Sequence, residues 1–287
     1  MLTHDARGEV ANSAPRREVL ASAAFGPVPG LHPLPAAHGP EQHWLRAVAL
    51  GGQGRYAAAR AELAHLRKPG GPHLWASLGA STEASFLRQL GGHRAAAILD
   101  GRALSASVRG EPASEPSVQA WCDAVTGLAA DALGRGRLGV CGALLDRCAS
   151  VLDATESEAG GQSFLRQRIR IAWVGAESAL AAGDFARARP RADRAVELSR
   201  EFGSVRHSVK SDLVRAASLT GQPDRGPATA LAADVLARAG EYGLIPLQWA
   251  AAMLLDGLDP GRGADVRDLC ETSIVHRGGR FAETSPR

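Results

Sequence analysis

Lysine is nearly missing from this 287-residue chain: of its 33 basic side chains, Lys68 and Lys210 are the lysines and the rest are arginines. Set beside 33 glycines and many alanines, this reads as the codon bias of a high-GC genome. It also makes almost every cation a planar donor suited to carboxylates and phosphates. Charge of one sign is lacking too. The 30 acidic residues leave a net charge of +3, too small to point to nucleic acid by itself. Aromatic side chains are only 5% of the chain, which disfavours a β-sandwich or barrel. No apolar run reaches the ~18 residues of a membrane span. With 45% hydrophobic and 22% charged residues, the chain is not wholly disordered either.

Chemistry-bearing motifs are equally sparse. The four cysteines, Cys122, Cys141, Cys148 and Cys270, form no C-x-x-C pair, and no histidine stands at finger spacing, so no metal site is expected. They read as small apolar fillers, Cys141 and Cys148 sharing a helix face. P-loop, H-E-x-x-H and G-x-S-x-G patterns do not occur. Gly134-Arg135-Gly136-Arg137-Leu138-Gly139 fits G-x-G-x-x-G, but no strand precedes it and a helix–helix turn explains its glycines. No nucleophile, base and orienting acid are brought together by spacing. The expectation is therefore a chain without catalytic residues, metal or cofactor. Met1–Arg7 has no basic segment leading into an apolar one, so secretion is not indicated and reduced thiols in the cytoplasm are expected.

What is present is a helical rhythm. Residues 1–39 read as a flexible, proline-rich arm, with a short helix near Arg16–Ala24 and irregular chain from Gly26 to Pro40. From Glu41, apolar residues recur at spacings of three and four. Trp44, Val48 and Leu50 are followed by a glycine-bearing turn, then Tyr56, Ala59, Leu63 and Leu66, which makes one helical hairpin. Similar hairpins follow over 75–104, 118–152, 164–201 and 208–238, and a last helix runs from Ile245 to Leu255. Residues 259–287 read as a tail with a short capping helix near Val266–Ile274 and a frayed end from Arg277. The turn glycines Gly54, Gly91, Gly136, Gly183 and Gly221 lie 37, 45, 47 and 38 residues apart. An irregular period near forty marks stacked hairpins, each shielding its neighbour's apolar face. The fold class expected is all-α, an α-solenoid of about five hairpins plus a terminal helix over residues 40–258.

Small residues recur at fixed places in these units. Unit four carries Ala176, Gly183, Phe185, Ala188 and Ala195; unit one Ala47, Gly54, Tyr56 and Ala59. Unit two carries Ala84, Gly91, His93, Ala96 and Ala103; unit three Ala129, Gly136, Leu138, Cys141 and Cys148. In this pattern the chain resembles the tetratricopeptide repeat, in the divergent, longer form found in sensor regions of large bacterial transcription activators. The departures are Leu63, Asp100, Leu145 and Ala192 where a later aromatic belongs, Pro223 at the fifth turn, and units longer than about 34 residues. Asp100 at a normally buried place is a conflict.

The resemblance implies that the first helix of each unit lines a concave groove. It places Trp44, Arg88, Arg170, Trp173, Glu177 and Arg215 there, residue types that favour binding hot spots. A cationic patch, Arg206, His207 and Lys210, opens unit five and could receive an acidic peptide or a phosphate, with a wet helix cap as the plainer reading. The function expected is a non-enzymatic module, an adaptor or regulator, holding a peptide or protein partner in the groove. One alternative is a transcription-associated sensor, although no basic recognition helix points to direct DNA contact. The other is an all-α enzyme with a central pocket, hinted at by Asp100 and Glu177.

Overall fold

A computed structural model describes residues 13–67, 71–109, 114–158 and 164–282. Among the described residues there are thirteen α-helices and no strand. Helix α1 spans Ser13–Phe25. Six antiparallel pairs follow: α2 (Pro40–Gly52) with α3 (Tyr56–Ala64), α4 (His73–Gln89) with α5 (His93–Arg109), and α6 (Glu115–Gly134) with α7 (Leu138–Glu158). Then come α8 (Leu165–Ala181) with α9 (Phe185–Phe202), α10 (Val205–Leu219) with α11 (Gly226–Glu241), and α12 (Ile245–Leu258) with α13 (Ala264–His276). The expected terminal helix is thus joined by a full partner, and the solenoid has six hairpins.

The curvature follows from which helices touch. The first helix of each hairpin touches the first helix of the next, so α2, α4, α6, α8, α10 and α12 form one continuous inner layer, and at most junctions it packs more extensively still on the second helix of the hairpin before it. The second helices, α3 to α13, stand outside it and pack mainly on their own hairpin and the start of the next. An inner layer in direct contact with a more widely spaced outer one bends the stack toward the inside.

Small side chains make that close approach attainable. Ala47, Ala59, Ala84, Ala96, Ala103, Ala129, Cys141, Cys148, Ala176, Ala188 and Ala195 are all 0% exposed. Interiors pack at crystal-like density, so one added methylene at such a contact is felt. The hairpin turns share one device as well. At Gly183 (φ 73°) the glycine N–H reaches Leu180 O at 2.9 Å and the next N–H, of Asp184, reaches Ala179 O at 2.9 Å. Gly54, Gly91 and Gly136 repeat both bonds. These are the two hydrogen bonds of a Schellman motif, which needs the left-handed backbone that glycine adopts freely. Gly221 does not belong to this set. Its backbone is not left-handed, and a Cβ there would lie 2.3 Å from the Phe185 ring, so it is a packing glycine beside a turn that Pro223 has redirected.

Both ends of the chain differ from expectation. The arm of residues 1–39 is, from Ser13 onward, a packed element. Leu20, Ala23 and Ala24 are at most 1% exposed, and Gln53 Nε2 donates to Pro29 O and Leu31 O at 2.8 and 3.0 Å. Prolines do keep residues 26–39 out of helix, but the backbone carbonyls they leave free are met by side chains of the first hairpin. Residues 277–282 are likewise held. Ala57 N–H donates to Arg277 O at 2.9 Å, Arg277 Nη1 to Gln53 O at 2.9 Å, and Ala282 N–H to Leu90 O at 2.8 Å. Ile274 of α13, 0% exposed, shares an apolar cluster with Tyr56, Leu63, Leu45 and Leu50, and Trp249 of α12 packs against it. The sixth hairpin therefore docks on the first, and the solenoid closes on itself.

Candidate functional site

Closure turns the concave groove into a cavity of about 600 Å³. Five first helices, α2, α4, α6, α8 and α10, line it, and Phe25 at the end of α1 sits at its edge. Of the six residues expected to face the groove, Trp44, Arg88, Arg170, Trp173 and Glu177 do line this cavity. Arg215 does not. It lies five residues beyond Lys210, about 140° around the helix at 3.6 residues per turn, and pairs outside with Asp193 at 3.0 Å.

An unbroken run of rings crosses the site. Trp44 lies 5.4 Å from Phe25, Phe25 lies 6.2 Å from His207, and His207 stacks on Trp173 at 5.4 Å with 21° between planes. Each indole N–H is satisfied, Trp44 donating to Thr82 Oγ1 at 3.0 Å and Trp173 to Ser211 Oγ at 2.9 Å. The rings are thus fixed in orientation while a face remains on the cavity. This is the usual economy of tryptophan, with an apolar body and one polar handle.

Three arginines converge beside the rings. Arg166 and Arg170, one turn apart on α8, both bind the carboxylate of Asp123 on α6; Arg166 Nη2 is 2.7 Å from Asp123 Oδ2. Arg166 also lies over Phe25 at 5.4 Å and over Trp44 at 5.8 Å. Arg206, at the start of α10, lies 5.9 Å from the Phe25 ring, and its Nη2 donates to Ala24 O at 3.2 Å. Its stem presses on Gly52 of α2, where a Cβ would come within 3.0 Å of Arg206 Cδ. Among the described residues no carboxylate pairs with Arg206, and its buried Nε has no hydrogen-bond partner. Burial, then the charges of Arg166 and Arg170, push its guanidinium down to about 10.

The patch Arg206, His207 and Lys210 is therefore not a wet helix cap. Ser204, at the N-cap, makes no capping bond. All three residues turn inward, on the side of α10 that packs against α8 and α1. His207 is 4% exposed, with Nδ1 2.8 Å from Ser204 Oγ. Burial first, then Arg206, Arg166 and Arg170, hold its pKa well below the ordinary histidine value, so it is a neutral ring rather than a cation. Lys210 Nζ donates to Glu177 Oε1 at 2.5 Å and lies 5.9 Å above Trp173.

Behind the cavity wall, the conflict at Asp100 resolves into a buried network. Asp100 accepts from Ser81 Oγ at 2.9 Å and pairs with Arg88, whose Nε donates to Asp131 Oδ1 at 2.9 Å. Gly127 makes room: a Cβ there would stand 2.3 Å from the Asp100 carboxylate. Burial, opposed by Arg88 and aided by Asp131, raises the Asp100 carboxyl to about 7. Yet Asp100 is 0% exposed and faces no open space, so its shift belongs to a structural strut. Glu177 is held by Lys210 and Asp123 by two arginines, which leaves neither carboxylate in the lining free of a cationic partner. Among the described residues no three His, Cys, Asp or Glu side chains are placed to hold a metal ion, and no helix is long and apolar enough to cross a membrane.

Sequence reasoning missed Phe25, Asp123, Asp131 and Arg166. A signal for the two aspartates was present: Asp123, Gly127 and Asp131 repeat every fourth residue along the mostly apolar α6, which puts both acids on one side of the helix. No protein-family model matches this chain, and neither a curated protein nor a solved structure matches it.

Proposed function

We propose that this chain is a non-enzymatic binding module of the tetratricopeptide-like kind, a cytoplasmic adaptor or regulator that takes an acidic segment of a protein partner into its central cavity. The observation that carries the reading is the convergence of five inner helices on one space lined by tryptophan faces and by an excess of arginine. Apolar faces and bidentate cations supply affinity and orientation without chemistry.

A cavity of about 600 Å³ takes a few side chains inserted from an extended segment. Fluorescence titration with short labelled peptides tests this. Acidic peptides carrying an aromatic residue bind and quench the tryptophans, while their Gln/Asn counterparts bind at least tenfold more weakly. A Trp173→Ala, Arg170→Gln variant with an unchanged helical spectrum loses the preference. Equal binding of acidic and neutral peptides refutes the reading.

A further inference from the structure

The charge inside the cavity does not balance, and the imbalance is local. Lys210 and Glu177 cancel, and behind the wall Arg88 sits between two acids, Asp100 and Asp131, whose surplus negative charge is partly relieved because burial raises the Asp100 carboxyl to about 7. Around Phe25, however, Arg166, Arg170 and Arg206 face a single carboxylate, Asp123, which leaves two positive charges over. His207 adds none, since it stays neutral. An unpaired guanidinium shielded from water is costly. Here no acidic side chain relieves the cost: beyond the face of Phe25, Arg206 has one backbone carbonyl as acceptor and a buried Nε without a partner. Such a group persists where an incoming anion completes it.

We infer that Arg206, together with Arg166 and Arg170, forms a subsite for the dianion of a phosphate monoester borne on a planar ring. A carboxylate carries one charge and would leave the other uncompensated, whereas a phosphate monoester near pH 7 carries close to two and offers three acceptor oxygens. Guanidinium forks match those oxygens in pairs. The ring is called for by the neighbours: Phe25 lies 5.4 Å from Arg166 and 5.9 Å from Arg206, and the Trp44–Phe25–His207–Trp173 run continues from it. The ester thus has its charge among the arginines and its ring along the aromatic wall. This rests on the reading of the cavity as a binding site and narrows its ligand. The ester can be a phosphorylated side chain of a partner segment or a free small molecule, and the chemistry of recognition is the same.

Calorimetric titration of the whole chain distinguishes these cases. Phenyl phosphate is expected to bind at least tenfold more tightly than benzoate and than inorganic phosphate. Arg206→Gln is expected to weaken phenyl phosphate roughly 10- to 100-fold, the loss of one charge-assisted contact, with far-ultraviolet dichroism unchanged. Arg170→Gln is the second variant. It leaves Asp123 paired with Arg166, so the fold is kept, and it too lowers affinity for the ester more than for benzoate. Tighter binding of a phosphotyrosine peptide than of phenyl phosphate assigns the source to a partner chain. The reverse order assigns it to a small molecule; both orders support the subsite. Equal affinity for phenyl phosphate and benzoate, or no effect of either arginine variant, overturns it. If acidic peptides bind while no phosphate ester does, the subsite fails and the proposed function stands; if neither binds, both fail.

Discussion

Ring closure can be tested at one side chain. Ile274 lies on α13, the last helix, yet its side chain is 0% exposed within the cluster of the first hairpin. Ile274→Ala deletes three buried carbons. At ~0.8 kcal/mol per methylene the transfer loss alone is about 2.4 kcal/mol. The vacated space adds to it, because Tyr56 and the backbone at Gly279, where a Cβ would lie 2.4 Å from Ile274 Cγ2 and 3.0 Å from Tyr56, are already tightly set. A total of about 3–4 kcal/mol falls within the usual range for such truncations. The decisive feature is where that loss appears. In a solenoid open at both ends it would loosen α12 and α13 alone. In a closed one it releases α2 and α3 as well, since their Leu45, Leu50, Tyr56 and Leu63 share the cluster. Native-state hydrogen exchange is the assay. Amides of α13 and of α2–α3 should lose protection together, by roughly 100-fold if 3 kcal/mol of local opening energy is lost, while α7 and α9 change little. Loss of protection confined to α12–α13 would refute closure.

Three further outcomes follow from the site and its supports. Asp100→Ala leaves Ser81 Oγ without its acceptor and Arg88 with one partner fewer, and should lower unfolding free energy by about 3–5 kcal/mol, read from urea denaturation; a loss under 1 kcal/mol contradicts the strut. His207 has a folded-state pKa depressed below its unfolded value near 6.5, so the unfolded chain binds the extra proton below that pH and stability from this group falls as pH drops. His207→Phe keeps the ring among Phe25, Trp173 and Phe202, and between pH 6.5 and 5 wild type should lose up to ~1.4 kcal/mol per pH unit relative to it; parallel pH curves would place His207 in water. Cys122, Cys141 and Cys148 are 0% exposed and Cys270 4%, so a thiol reagent should label none of the four rapidly until urea unfolds the chain. Fast labelling of the native protein would deny their filler role.

The inner architecture was readable because its determinants are local. A glycine in a left-handed turn and an alanine at a helix contact act over a few residues, so Gly54, Gly91, Gly136 and Gly183 locate hairpins from sequence alone. Helix register then carries Trp44, Arg88, Arg170, Trp173 and Glu177 to one side of the stack. Arg215 shows the limit of the same reasoning, since its place on α10 turns it outward to Asp193. What could not be read is what the chain ends do. Their contacts run from side chains to backbone carbonyls, Gln53 to Pro29 and Leu31, Arg206 to Ala24, Arg60 to Gly278, at separations of up to 218 residues. A carbonyl is present at every residue and leaves no mark in the sequence. Arg206 was misplaced for the same reason: a charged residue near a helix start looks solvated until the element that covers it is known.

That covering element changes the logic of the site. In an open superhelix the groove is defined by the repeats, and any long segment can slide along it. Here α1 carries Phe25 to the rim, where it meets Trp44, His207, Arg166 and Arg206, while residues 29–31 are held by Gln53 of the first hairpin. Gly30 lies against Tyr242 of the fifth, where a Cβ would come within 2.5 Å of the Tyr242 carbonyl oxygen. One short stretch of chain therefore touches both the first and the fifth hairpins and helps to fix the width of the space between them. The cavity is set by closure rather than by repeat number. The proposed selectivity then rests most on the groups at the seam, Phe25 and Arg206 above all, because among the described cations of the wall Arg206 has no carboxylate partner while Arg166 and Arg170 share Asp123.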